Sequence, residues 1–280
     1  MNDSVVVCGA GTMGYGIALT CAQFGMQVKL FDISESALNT AASEIKNQLH
    51  SLVSKGKISI ENSSEINARI EYTGNLKACK GEIVIEAVAE IRNVKVNLLK
   101  EIASLNSPST IYTSNTSSLS IDDIAEGTGL NERFLGLHFF NPAPVMKLVE
   151  VVKGKHTSPE VIAEIIAFSK RVGKTPVVCN DSPGFIVNRV ARHFYLEALK
   201  QVEEHSCSIE SADALLESCG FKMGPFKLMD LIGNDVNLAV TQSLYESCGR
   251  PLRFRPSALQ KEKVESGELG RKTKKGYYLY

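Results

Sequence analysis

Val5-Val6-Val7-Cys8-Gly9-Ala10-Gly11-Thr12-Met13-Gly14 is the stretch on which the fold turns. Its apolar start predicts a short buried strand. The strand passes at once into a G-x-G-x-x-G turn, and Tyr15 to Phe24 continues with helical apolar spacing. A second apolar run, Gln27 to Phe31, ends at Asp32. A strand, a glycine turn, a helix and then an acid about 20 residues on form the pattern that holds a dinucleotide. Gly9 permits the tight turn, Gly11 leaves backbone that a pyrophosphate can approach, and Gly14 lets the helix pack close to the strand. Backbone N–H groups at the helix start, around Thr12 and Met13, offer the phosphates free donors and the positive end of the helix dipole. Asp32 is suited to accept hydrogen bonds from the adenosine ribose, and its charge opposes a 2′-phosphate, which favours NAD over NADP. Its other possible task is to cap the helix opening near Ser34.

Beyond this unit, Ser36 to Val53 and Glu61 to Ala68 have helical spacing, with Lys55-Gly56-Lys57 between them. They predict an inserted helical hairpin. Lys55 and Lys57 either form a solvated helix end, where cations suit the dipole, or meet a phosphorylated substrate tail. Ile70 to Thr73, Ile83 to Val88 and Thr110 to Ser114 are further strand candidates, with a helix over Val94 to Leu105. Glu86 and Glu90 lie at the carboxyl end of a strand, where open α/β sheets bind ligands. Lys95 can pair with Glu90, either within a site or as a surface ion pair of little energetic value. Asn115-Thr116-Ser117-Ser118 offers four small hydrogen-bonding side chains. They serve a bound ligand, or they cap the helix that starts near Ser120.

A second notable block runs from His138 to Glu150. Phe134 to Leu137 predicts a buried strand that ends at His138, and Leu148 to Val152 predicts a second strand around Glu150. Pro142 and Pro144 stiffen the chain between them. Paired strands would bring the imidazole and the carboxylate together in apolar surroundings. The carboxylate would then hold the Nδ1 proton and leave Nε2 as a base. The plainer reading is a core histidine beside a solvated glutamate.

Pro159 to Val172 predicts a helix and Thr175 to Cys179 a strand; the Asn180-Asp181-Ser182-Pro183-Gly184 break follows. Past it the pattern is helical: Phe185 to Glu204, Ser208 to Cys219, Phe226 to Tyr245 and Pro256 to Ser266, with a strand only at Tyr277 to Tyr280. The expected architecture is an α/β Rossmann-type, doubly wound, mostly parallel sheet over residues 1–182, then an all-α domain over 183–280. Helices with wide apolar faces suit a homodimer.

Composition narrows the partners. Lys and Arg together number 31, as do Asp and Glu, so no global attraction to nucleic acid or an anionic membrane is expected. No apolar run approaches the roughly 20 residues of a membrane span. Met1-Asn2-Asp3-Ser4 leads straight into the first strand, without a signal segment. Seven scattered cysteines without a Cys-x-x-Cys pair predict reduced thiols in a cytoplasmic protein and no metal site.

The chain resembles the short-chain 3-hydroxyacyl-CoA dehydrogenases, in particular the bacterial 3-hydroxybutyryl-CoA dehydrogenases. The resemblance spans Val5 to Tyr280. It rests on Gly9 to Gly14, Ser114 to Ser118, His138 to Glu150, Asp181 to Arg189, and Gly270-Arg271-Lys272-Thr273 to Tyr280. It implies that His138 is the catalytic base and Glu150 its orienting carboxylate. Ser117 and Asn188 would contact the acyl oxygens, and Asn141 would line the same site. Glu90 and Lys95 would lie along the nicotinamide side, with Asn115, Ser117 and Asn141 also near the cofactor. The hairpin at Lys55 and Lys57 would meet the CoA nucleotide. Ile91 departs from the family, which often has Asn there. The implied reaction is NAD-dependent oxidation of (S)-3-hydroxybutyryl-CoA to acetoacetyl-CoA. The rival readings are another Rossmann 3-hydroxyacid dehydrogenase, such as a relative of L-gulonate 3-dehydrogenase, and a non-catalytic NAD-binding protein.

Overall fold

The computed structural model describes residues 4–280. Residues 1–3, read above as leading into the first strand, lie outside the described residues. The chain divides into two compact units, Met1–Asp181 and Ser182–Tyr280.

The first unit alternates strands and helices. Its elements are β1 (Ser4–Cys8), α1 (Thr12–Gln23), β2 (Gln27–Phe31), α2 (Glu35–Ser54), α3 (Ile60–Ala68) and β3 (Ile70–Thr73). Then come β4 (Ile83–Glu86), α4 (Arg92–Ala103), β5 (Ile111–Ser114), α5 (Ile121–Thr128), β6 (Phe134–Phe139), β7 (Leu148–Lys153), α6 (Pro159–Arg171) and β8 (Thr175–Asn180). Among the described residues the strands form one eight-stranded sheet in the order β3-β2-β1-β4-β5-β6-β7-β8. All neighbours are parallel except β6 and β7. Central parallel strands are covered on both faces, which is why they read as unbroken apolar runs. Val6, Val7, Val84 and Ile85 are fully buried. Pro176 lies in β8, the edge strand, where a missing N–H is tolerated.

The glycine turn is fixed by close contact. Gly9 has φ +101°, and a Cβ there would lie 2.5 Å from the Ala87 carbonyl oxygen. A Cβ on Gly14 would lie 1.6 Å from the Gly9 carbonyl oxygen. Only glycine at both positions lets α1 start directly over the end of β1.

The second unit contains α7 (Val187–Glu203), α8 (Ile209–Ser218), α9 (Pro225–Ile232), α10 (Asn234–Ser247) and α11 (Ala258–Glu265). Tyr195, Leu199, Phe226, Met229 and Phe254 are central to its own core. Two expectations fail here. The helix expected over Phe226 to Tyr245 is broken at Gly233, whose φ of +106° no ordinary helix contains. Apolar spacing continues through the break, so periodicity does not reveal it. The break turns the Asn234 N–H to the Leu269 carbonyl. The strand expected at Tyr277 to Tyr280 does not form. Instead the buried Asp230 carboxylate takes the Tyr277 N–H on one oxygen and the Tyr278 N–H on the other, both at 2.9 Å. Those donors are then lost to any ladder, and only isolated bridges at Gly270–Lys275 and Lys275–Leu279 remain. In the first unit, β4 ends at Glu86 rather than Val88, because the Val88 N–H turns back to the Glu86 carboxylate at 2.7 Å.

Gly14→Ala is expected to lower the unfolding free energy by about 1–3 kcal/mol, the usual cost of overpacking. A urea melt superimposable on that of the wild type would show that α1 can move off β1 without cost.

Candidate active site

Strand order reverses between β1 and β4: β1 leads to β2 on one side, and β4 leads to β5 on the other. A crevice outside the carboxyl ends of such strands is where open α/β sheets hold ligands. The residues there fit a dinucleotide. Gly11 is exposed, and a Cβ on it would meet nothing within 4 Å. No side chain caps the amino end of α1, so its first N–H groups stay open to an anion. Asp32 is held in place by the Ala10 N–H on one oxygen at 2.8 Å and the Ser34 N–H on the other at 2.9 Å. The cap of α2 is Ser34, which accepts from the Ala37 N–H, so Asp32 does not fill that role. Ile33 beside it is 90% exposed and gives an apolar surface for a base.

Across the crevice runs a chain of charges. Lys95, 1% exposed in the first turn of α4, donates to Glu86 at 2.7 Å and reaches Glu90 at 3.1 Å. This is no surface ion pair, because Lys95 and Glu86 are both fully buried. Glu86 also accepts from the Ser114 hydroxyl at 2.5 Å, which ties β4 to β5. Burial drives the Glu86 pKa up, and the nearby Lys95 ammonium offsets only part of that. Burial acts on Glu90 in the same direction, but the Lys95 charge and the Thr116 and Ser118 hydroxyls prevail and hold it below its ordinary value. Glu90 Oε1 gathers the next loop: it accepts from the Thr116 hydroxyl at 2.5 Å, the Ser117 N–H at 3.1 Å and the Ser118 hydroxyl at 2.9 Å. The run Asn115 to Ser118 therefore does not cap α5. Ser120 caps it, accepting from the Asp123 N–H at 3.1 Å.

Farther along the sheet, His138 and Glu150 are directly opposed in the antiparallel pair β6 and β7. Opposed residues project from the same face. His138 Nδ1 lies 2.7 Å from Glu150 Oε2, with both residues buried. Phe140 packs on the imidazole at a ring-centre distance of 4.6 Å. Asn115 Oδ1 accepts the Phe139 N–H at 2.8 Å, which joins the β5 loop to the end of β6. With Nδ1 committed to a carboxylate, Nε2 carries the basic lone pair. This arrangement can take a proton from a hydroxyl and hold the resulting imidazolium.

A family model described as the NAD-binding domain of 3-hydroxyacyl-CoA dehydrogenase matches residues 4–182, and one described as its C-terminal domain matches residues 184–280. The chain belongs to the 3-hydroxyacyl-CoA dehydrogenase family. Its cofactor is NAD. The chain is 46% identical over 278 residues to the Escherichia coli 3-hydroxyadipyl-CoA dehydrogenase, covering 99% of this chain but 58% of that protein. It is 37% identical to the Clostridioides difficile 3-hydroxybutyryl-CoA dehydrogenase, covering 99% of each. The crystal structure of (S)-3-hydroxybutyryl-CoA dehydrogenase PaaH1 from Ralstonia eutropha superposes with a TM-score of 0.95 at 39% identity, over 100% of this chain and 99% of that one.

Within this dehydrogenase fold, Gly9 to Gly14, Asp32, Glu90, Lys95, Asn115 and Ser117 all follow the carboxyl ends of neighbouring strands. The Ser117 hydroxyl makes no hydrogen bond among the described residues. Asn141 is exposed in the β6–β7 loop. Lys55 is the C-cap of α2, and Lys57 follows two residues on; both are exposed. Asn188 lies in the first turn of α7, in the second unit. Ile91 is the N-cap residue of α4, makes no side-chain cap and is 56% exposed. One contributor escaped the sequence reading. Lys174, buried after α6, donates to the carbonyls of Ala143 and Met146 and so anchors the loop that carries Asn141. Burial depresses its pKa. No local pattern announces it, because its partners are backbone atoms roughly 30 residues upstream.

Lys95→Met is expected to destabilise the protein by about 3–5 kcal/mol, since it leaves Glu86 buried without its cation. Glu86 has a raised folded pKa, so its charged form is the one that folding disfavours. The loss should therefore grow as pH rises above the ordinary glutamate value of about 4.3. Adding Glu86→Gln should recover much of it. Urea melts at pH 5 and pH 8 measure this, and an equal loss at both would refute it.

Proposed function

We propose that the chain catalyses reversible NAD-dependent oxidation of short-chain (S)-3-hydroxyacyl-CoA to 3-ketoacyl-CoA, with (S)-3-hydroxybutyryl-CoA and acetoacetyl-CoA as the simplest pair. The place of such a reaction is short-chain fatty acid or butanoate metabolism. The observation that carries the reading is the buried His138–Glu150 pair, with 2.7 Å between Nδ1 and Oε2. A non-catalytic NAD binder has no use for an oriented buried base.

In this reading His138 Nε2 removes the proton of the 3-hydroxyl, and Glu150 stabilises the imidazolium that forms. The hydride acceptor for C3 would be supplied by NAD when bound. Ser117 and Asn188 hold the 3-oxygen, an orientation effect. In the reverse direction the imidazolium returns its proton to the ketone oxygen. Asn141 lines the acyl site, Glu90 and Lys95 line the nicotinamide side, and Lys55 and Lys57 meet the CoA nucleotide. The hairpin also favours a CoA thioester over a free hydroxyacid such as L-gulonate. Relatives divide at the far end of the acyl chain: the Escherichia coli name implies a carboxylate there, and the Clostridioides difficile name a methyl group.

A homodimer is supported by exposed apolar side chains in the second unit, with Val190, Leu231, Ile232 and Val236 each more than two-fifths exposed. Seven free cysteines support a reducing, cytoplasmic setting.

Oxidation of NADH with acetoacetyl-CoA tests the activity directly. His138→Gln should lower kcat roughly 10²–10⁴-fold, the worth of general-base catalysis, while NADH still binds. Glu150→Gln should also lose most activity, and wild-type kcat in either variant would dismantle the dyad assignment. Asp32→Ala should weaken NADH and admit NADPH; a wild-type kcat/KM higher for NADPH than for NADH would contradict this. Lys55→Ala with Lys57→Ala should raise KM for acetoacetyl-CoA several-fold and spare kcat, because exposed charges bind weakly and uniformly. The effect should vanish on a truncated thioester without the nucleotide, and an equal effect there would return the hairpin to a solvated helix end.

A further inference from the structure

Lys174 sits in the turn between α6 and β8 and is 7% exposed. Its backbone is fixed on both sides. Its own N–H donates to the Ser169 carbonyl at 2.9 Å, and the Thr175 N–H donates to the Lys147 carbonyl at 2.7 Å. The ammonium donates to the Ala143 carbonyl and, at 2.9 Å, to the Met146 carbonyl. No carboxylate pairs with it among the described residues. A buried cation without a counter-ion costs stability, and a segment that only joins two strands needs no such group. The return lies in the bonds themselves, because hydrogen bonds from a charged donor are shorter and roughly twice as strong as neutral ones.

Those bonds hold the segment between β6 and β7. Pro142 and Pro144 bring no N–H to it, and the Val145 and Met146 N–H groups both turn back to the Pro142 carbonyl at 3.0 Å. Among the described residues, Lys174 is the only side chain that hydrogen-bonds to residues 141–147. Ala143 is buried and rests on α1: a Cβ on Gly16 would lie 3.3 Å from the Ala143 Cβ and 3.4 Å from the Pro144 Cδ. Gly16 is two residues past the dinucleotide turn. The segment starts with Phe140, which packs on the His138 imidazole, and Asn141 follows. One loop therefore touches the base at its start and the cofactor helix at its middle, and Lys174 ties it down at two carbonyls.

We propose that Lys174 is a positioning residue for hydride transfer: through the Ala143 and Met146 carbonyls it fixes Phe140 and Asn141, and with them the His138 ring and the acyl group, relative to the cofactor helix α1. This rests on the proposed function, in which His138 is the base and Asn141 lines the acyl site. Lys174 itself touches no reacting group and acts through the loop.

The test follows oxidation of NADH, and of NADH deuterated at the transferred position, with acetoacetyl-CoA. Rates are expressed per NADH-binding site, so unfolded protein does not enter them. Lys174→Met keeps the buried stem and removes both donors. It should lower kcat per site roughly 10- to 100-fold, since a misplacement of about 1 Å can cost 10²-fold. The deuterium isotope effect on kcat should rise above the wild-type value, because hydride transfer becomes slower relative to the other steps. The Kd for NADH should change little, since the glycine turn is intact. Lys174→Gln, whose amide has two N–H donors but no charge, should recover part of the rate. A role in stability alone would reduce the amount of NADH-binding protein and leave kcat and the isotope effect of each site unchanged; that result would overturn the inference. Where Lys174→Met does not fold, Gly16→Ala disturbs the same loop from α1 with Lys174 in place. A lowered kcat per site with a raised isotope effect is expected there, and wild-type values would overturn the inference. A wild-type protein that does not turn over acetoacetyl-CoA would overturn the functional reading itself, whereas wild-type turnover left unchanged in Lys174→Met would overturn only the role of Lys174.

Discussion

The Glu86–Lys95–Glu90 triad, buried at its first two members, is the interaction on which the site depends. Two carboxylates and one ammonium are held where water does not reach Glu86 or Lys95. Isolated charges there would be prohibitive. Each is made tolerable by the others and by hydroxyl and amide donors from β5 and the loop after it. The position of the Ser117 loop is therefore set electrostatically, by Glu90 in the loop between β4 and α4. Glu90, the partly exposed member, keeps its charge at the mouth of the crevice, while Glu86 pins the floor.

His138 and Glu150 show how topology supplies chemistry. Among the described residues β6 and β7 are the only antiparallel neighbours in the sheet, and an antiparallel register sets two residues directly opposite. A shift of one residue would move Glu150 to the other face and leave it buried without a partner. The glycine turn depends on the same kind of constraint. Gly9 approaches the backbone after β4, Gly14 approaches Gly9, and a side chain at either place would push α1 away from the strand ends.

Three of the buried cations are treated differently. Lys95 has two carboxylates, Lys174 has two carbonyls, and Arg192 has a carbonyl, an amide oxygen and a hydroxyl. The first organises a site and the second fixes a loop. Burial alone does not say what a charge is for. Its partners do.

The sequence by itself determined the order of strands and helices in the first unit, because buried parallel strands and amphipathic helices have different periods. It also located the dinucleotide turn, through glycines at positions 9 and 14 that no other residue could fill, and it offered the pairing of His138 with Glu150 through two short strands joined by a stiff loop. Tertiary structure decided what periodicity does not encode. Whether Lys95 belongs to a site or to a surface pair was open in the sequence, and it is buried because of Glu86 and of packing between α4 and α5. The helix expected through Gly233 breaks there, and the tail expected as a strand is captured by Asp230. In both cases the deciding partner lies some 35 residues or more away in sequence, and a hydrogen-bond donor can be committed only once. Local pattern fixes which conformations a segment prefers; distant partners fix which of its polar groups are satisfied, and that second choice made the site.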